Sequence, residues 1–207
     1  MFGEDSGIRW NIEKETFGVA DGVGGWAKKG VDAGKYARAL MFNSELAVQH
    51  QPVGWVDPRK ILRAVNIGDS GFLVIRNGKI EYKSRVQQHR FNCPFQLGKC
   101  NDNPSLAQGS RVFVEPGDVV VAGTDGMFDN LNDSDIVEIV NQGVKKAPHK
   151  LARTIAKLAH RNSPDRCAIT PFSKAAQEVG LDFVGGKRDD ITVVVAYIGP
   201  PGKRLVF

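Results

Sequence analysis

Cysteine is scarce in this 207-residue chain: Cys93, Cys100 and Cys167 are the only three, and no two of them form a CxxC pair. Any intramolecular disulfide scheme leaves one unpaired, so a reducing compartment is favoured and a thiolate zinc site is disfavoured. Long apolar runs are missing too. The longest, VVVA at 119–122 and ITVVVAYI at 191–198, fall far short of the roughly 20 residues that cross a bilayer, so no membrane span is expected. The opening MFGEDSG has neither a basic stretch followed by an apolar one nor an Arg-rich amphipathic pattern, and no targeting peptide is read there. Recognition-helix, zinc-ligand and aromatic stacking patterns are also lacking, which argues against a nucleic-acid partner. No internal repeat or low-complexity tract interrupts the chain.

What is present is a basic balance of +5, unevenly spread. Residues 59–99 hold nine Lys/Arg against Asp69 and Glu81, and residues 145–174 hold eight against Asp165. Such stretches attract anions over about 10 Å at 0.1 M salt, although a solvated basic face is the commoner meaning of such runs. The length suits one domain with one core.

Along the chain, TFGVADGVGG reads as a short strand ending in a glycine turn. VDAGKYARALMFNSELAVQH follows with Tyr36, Leu40, Phe42, Leu46 and Val48 at roughly helical spacing. Residues 60–82 read as an antiparallel meander with turns at 68–71 and at Asn77-Gly78. Residues 84–110 show no period and read as a long irregular loop suited to substrate contacts. RVFVEPGDVVVAGTDG then gives two strands, and DSDIVEIVNQGV starts a helix with acids in its first turn. A further helix is expected over 149–160, with Leu151, Ile155 and Leu158 on one face. The final VVVAYI is apolar enough to predict an interior strand. The fold class expected is α+β, an antiparallel β-sandwich flanked by helices.

Three aspartates share one setting: Asp21 in VADGVGG, Asp125 in AGTDGMFD and Asp189 in GGKRDDIT each adjoin an apolar strand and a glycine-bearing turn. Taken singly, Asp-Gly is a common turn dipeptide, and Asp189-Asp190 could equally cap a helix or face solvent. Gly68-Asp69-Ser70-Gly71 reads as a structural turn in which the aspartate bonds local N–H groups. If the strand ends converge, however, the carboxylates form an all-oxygen site suited to Mg²⁺ or Mn²⁺. Packed carboxylates repel one another and lose solvation, so protons or cations must hold them there.

The motifs Gly3-Glu4-Asp5, Asp21-Gly22-Val23-Gly24-Gly25, Gly68-Asp69-Ser70, Thr124-Asp125-Gly126 and Arg188-Asp189-Asp190 occur in this order. In that order they resemble the PPM family of metal-dependent protein serine/threonine phosphatases. More narrowly, VADGVGGWAKKGVDAGKYARALM and QQHRFNCPFQLG resemble its organellar branch, with a plant-like flavour, which implies a mitochondrion or plastid. The resemblance implies hydrolysis of phosphoserine and phosphothreonine in proteins, using two Mg²⁺ or Mn²⁺ ions and a hydroxide shared between them, without a phosphoenzyme. It gives Asp21 the place between the ions, the Gly22 carbonyl a share of one ion, and Asp125 and Asp189 the other. Glu4 and Asp5 would orient metal-bound waters, and Asp190 would be structural. Val23 stands where many relatives carry a histidine that is a proposed proton donor; a metal-held water is the favoured replacement, ahead of His89. The substrate expected is a phosphorylated protein, and the oligomeric state expected is a monomer.

Against the family pattern the chain reads as one domain over 1–207 that lacks two pieces. Only Met1 and Phe2 precede Gly3, where the family has a strand and commonly a phosphate-binding arginine. Near 50–62 a longer helical passage and a Gly-Ser-Thr strand are expected to be absent. The alternative to turnover is therefore a catalytically impaired short form or a noncatalytic phosphate-sensing module.

Overall fold

The computed structural model describes residues 6–11, 14–50, 61–98, 102–143 and 147–200. In chain order these form β1 (Ser6–Asn11), β2 (Thr16–Asp21), α1 (Ala33–Gln49), β3 (Ile61–Asn66), β4 (Gly71–Arg76), β5 (Lys79–Lys83), β6 (Gln88–Arg90) and β7 (Cys93–Pro94). β8 (Gln108–Phe113), β9 (Val119–Gly123), α2 (Asp125–Phe128), α3 (Asp133–Gly143), α4 (Pro148–Asn162), α5 (Pro171–Glu178) and β10 (Val193–Tyr197) follow.

The centre is a four-stranded antiparallel sheet in the order β10-β9-β4-β5. Side chains alternate across a strand, and this sheet is apolar on both faces. One set, Leu73, Ile75, Val119, Val121 and Val195, meets Met127, Leu131, Ile136, Val140, Leu151, Ile155 and Ala159 from α2, α3, α4 and the turn after α2. The other set, Phe72, Val74, Val120, Ala122 and Ala196, packs against Val112 and Val114, with Phe17, Leu62 and Ala64 at its margin. Behind it lie the pairs β3-β8 and β1-β2, and α1 closes the far side through Ala37 and Met41 against Ala20. The order of layers is helices, sheet, strand pairs, helix, in agreement with the expected flanked sandwich.

Several local expectations change. The 60–82 stretch is no meander: β3 pairs with β8 while β4 pairs with β5 and β9. Gly68, at φ 88°, turns the chain from one layer to the other. β10 is an edge strand of its sheet, and its continuous apolar run reflects cover on both faces by the two cores. On α1 the buried residues are Ala33, Gly34, Ala37 and Met41, whereas Tyr36 is 48% and Phe42 50% exposed. Small residues face inward because α1 lies close on β1, where a Cβ on Gly7 would sit 3.1 Å from the Ala37 carbonyl oxygen. The irregular loop holds the small ribbon β6-β7. Its His89 Nε2 lies 3.0 Å from the buried Asp102 carboxylate, which also accepts the Gln96 N–H at 2.7 Å. His89 thus serves the loop.

No described helix is long and apolar enough to cross a membrane. The expected gap near 50–62 falls mostly on 51–60, outside the described residues, as do Gly3, Glu4 and Asp5.

Candidate metal centre

Three chain segments meet at one end of the sandwich. Asp21 is the last residue of β2, Asp125 opens the one-turn α2 directly after β9, and Asp189 lies in the loop before β10. One carboxylate oxygen from each lies within 4.8 Å of the other two. Gly22 follows Asp21 and lines the same cleft, as do Val23 and Asp69.

The local sequence explains how Asp125 and Asp189 are held together. Thr124, fully buried, donates its hydroxyl to the Asp190 carbonyl at 2.9 Å and accepts the Thr192 N–H at 3.0 Å. Gly126 lets that loop approach, because a Cβ there would collide with the Asp190 carbonyl oxygen. Asn130 completes the clamp: its amide donates to the Gly126 and Lys187 carbonyls at 2.9 and 2.8 Å and accepts the Lys187 N–H at 3.0 Å. Asp21 depends on the β1-β2 register, in which it stands opposite Ser6.

Electrostatically the cluster is costly. Burial first, and then repulsion from Asp125, Asp189 and Asp190, pushes the Asp21 carboxyl up to about 9. Burial and Asp125 raise Asp69 to about 6, and burial, with Asp125 opposing Lys187, raises Asp129 to about 7. Asp189 is raised as well, by burial and then Asp125. The counterweight is Lys187, whose Nζ contacts Asp125 Oδ2, Asp129 Oδ2 at 2.8 Å and Asp189 Oδ2 at 2.9 Å. Burial works against its charge, yet Asp125, Asp129 and Asp189 outweigh burial and hold its pKa above the ordinary lysine value. One cation does not satisfy the cluster. Asp21 Oδ1 and Asp125 Oδ1 are buried without a hydrogen-bond partner, and an all-oxygen donor set with orphaned carboxylate oxygens fits hard divalent ions.

The structure thus brings Asp21, Asp125 and Asp189 together and puts Gly22 beside them. Lys187, Asp129 and Asp69 were missed as members of the site. The signal for Asp129 was its spacing of four from Asp125 on one helical turn; Lys187 looked like part of a solvated charged turn.

The likeness to known proteins agrees with this geometry. The probable protein phosphatase 2C 55 of Arabidopsis thaliana is 45% identical over 90% of this chain and 46% of its own length. The protein phosphatase PTC7 homolog fig of Drosophila virilis is 36% identical over 98% of this chain and 80% of its own. The chain belongs to the protein phosphatase 2C (PPM) family. Among solved structures, that of the photosystem II phosphatase PBCP superposes with a TM-score of 0.81 at 30% identity, covering 93% of this chain and 91% of that one. No family model matches the chain. It spans about half the length of the first curated relatives it matches.

Proposed function

We propose that this protein phosphatase 2C family chain hydrolyses phosphoserine and phosphothreonine in proteins with the help of Mg²⁺ or Mn²⁺, two ions being the number that the resemblance supports. The observation that carries the proposal is the convergence of Asp21, Asp125 and Asp189 from three separate segments, with two carboxylate oxygens buried and unpartnered.

In this reading Asp21, the Gly22 carbonyl, Asp125 and Asp189 would hold the ions. When bound, the ions supply an acidified water and neutralise phosphoryl charge. The chain's own residues position. Thr124, Gly126 and Asn130 fix the distance between α2 and the loop before β10, which keeps Asp125 and Asp189 in register as charge shifts. Asp69 and Asp129 provide further half-buried acid groups at the rim, suited to orienting water. Glu4 and Asp5 keep the water-orienting role that the resemblance implies. The basic loop residues Arg85 and Arg90, both exposed, offer anion contacts to a phosphoprotein. With no histidine at Val23 and with His89 committed to Asp102, the leaving alkoxide takes its proton from solvent held at the site.

The deciding experiment is phosphopeptide hydrolysis by metal-stripped protein, with and without Mn²⁺. Metal-dependent release of phosphate is expected; an unchanged rate in excess chelator would refute the proposal.

A second reading, an impaired short form or a noncatalytic phosphate sensor, is favoured by a specific feature. Among the described residues β2 pairs only with β1 and β3 only with β8, and the remaining edges of both line one cleft of about 1450 Å³. A strand could occupy that space, as expected if an internal segment is missing. The match to the Drosophila relative runs over 251 positions against a chain of 207 residues, which supports residues present there and absent here. Restoring a relative's segment between 50 and 61 should raise the unfolding temperature and the turnover together. Equal stability and turnover within about twofold would remove this reading. For the compartment we propose a mitochondrion or plastid, on the resemblance of 19–41 and 87–98 to the organellar branch; fractionation of the tagged natural gene product tests it.

A further inference from the structure

Lys187 is the most heavily contacted cation of the described site, and the mechanism above gives it no task. Its ammonium, 17% exposed, touches three carboxylates at once. Two of them, Asp125 and Asp189, are the proposed ion ligands, and the third, Asp129, is not. Phe172 covers it from the side, with the ring centroid 5.4 Å from Nζ. Its main chain is fastened at both the N–H and the carbonyl to the Asn130 side chain. The position of the ammonium is therefore built by the fold, beyond what attraction alone would give a flexible side chain.

We infer that Lys187 is a tethered counter-cation that holds Asp125 and Asp189 together while the site is free of ions and yields them to the incoming metal by withdrawing onto Asp129. This rests on the metal reading of the three aspartates. The physical argument is competition: carboxylate lone pairs engaged by an ammonium are not available to an ion. Without Lys187 the ion-free site would carry several adjacent, partly buried carboxylates with no ammonium among them, and would be less stable. With it, the ion-free site is organised and metal affinity is lowered by the cost of displacing the ammonium. Asp129 sets that cost, because it lies in reach of Nζ at 2.8 Å and is absent from the three-carboxylate cluster. The lysine is thus a positioning residue that tunes the metal concentration at which the enzyme switches on.

The test measures Mn²⁺ binding by calorimetry and thermal unfolding in chelator, for the whole chain and the variants K187Q, K187R, D129N and K187Q/D129N. K187Q should bind Mn²⁺ about tenfold more tightly and, in chelator, unfold about 5 °C lower. K187R, which keeps the charge, should bind as the parent does. D129N should weaken binding in the parent, because the ammonium has lost its retreat, and should weaken it markedly less in the K187Q background. A merely structural lysine would give weaker binding on removal, so K187Q binding equal to or weaker than the parent's overturns the inference. If K187Q does not fold in chelator, the K187R and D129N titrations decide it: unchanged affinity in D129N overturns it. If the parent chain binds no Mn²⁺, the metal reading itself fails and this inference with it, an outcome distinct from a parent that binds and a K187Q that binds no better.

Discussion

The two halves of the sandwich are finished to different degrees. On the helix side of the central sheet, Leu73, Val121, Ile136, Leu151 and Ile155 are completely buried, and every strand edge inside that sheet is paired. On the α1 side, β2 and β3 look across an open cleft, Val65 is 78% and Phe113 76% exposed, and α1 turns Tyr36, Phe42 and Leu46 outward. The site straddles this boundary. Asp125 and Asp189 are set by β9, α2 and β10 in the closed half, while Asp21 rides on β2 in the open half. On the proposed metal reading, ion binding would do structural work here, since it would join two carboxylates set by the closed half to one carried by the open half.

The largest effect should come from asking whether both halves are needed for chemistry. Asp21→Asn and Asp125→Asn should each lower metal-dependent turnover at least about a hundredfold, measured on phosphopeptide at saturating Mn²⁺. Yet in chelator above about pH 9, where Asp21 has lost its proton, Asp21→Asn should raise the unfolding temperature, because it removes a like charge from the cluster. If Asp21→Asn keeps near-parental turnover, the open half supplies no ligand.

Next comes packing. Ile155→Ala should cost about 3 kcal/mol in denaturant unfolding, whereas Met41→Ala, beside the open cleft, should cost about half as much. Equal costs would mean that the two halves are equally tight in solution.

A smaller effect should appear with pH. The raised carboxyls Asp21, about 9, and Asp129, about 7, bind protons in the folded state that the unfolded chain releases near pH 4. Their shift therefore stabilises nothing at low pH that higher pH retains: in chelator, stability should fall as pH rises from about 5 to 9. Saturating Mn²⁺ should flatten that decline, since ions replace the protons. A metal-free unfolding temperature that rises across this window would contradict the assigned environment.

The smallest change concerns the loop. Replacing Arg85 and Arg90 by Ala should raise KM for a phosphoprotein about two- to fivefold, the size expected for exposed ion pairs, and leave aryl phosphate turnover unchanged. Equal losses on both substrates would show that the loop supports the core instead.

Much of this was legible in the sequence for stated reasons. Aspartate at an apolar strand end beside glycine marks a place where backbone can crowd a ligand, and three such places in family order pointed to Asp21, Asp125 and Asp189. The helix at 133–143 announced itself by acids in its first turn. The rest depended on tertiary contacts. Nothing local tells that the turn at Gly68 joins two layers instead of two paired strands, since the hairpin turn at Asn77-Gly78 also carries a glycine at positive φ. α1 was read by its large apolar residues, but close packing on β1 selected Ala33 and Ala37 for the interior. Lys187 and Asp129 gained their meaning only when α2 met the loop before β10, 58 residues apart in sequence.

The most direct test of a single centre shared by both halves is anomalous diffraction from crystals of the chain soaked in Mn²⁺. The expected result is manganese density within coordinating distance of carboxylate oxygens of Asp21, Asp125 and Asp189 together, with Lys187 turned to Asp129. Density held by Asp125 and Asp189 while Asp21 stands apart, or no manganese at these residues, would contradict the account.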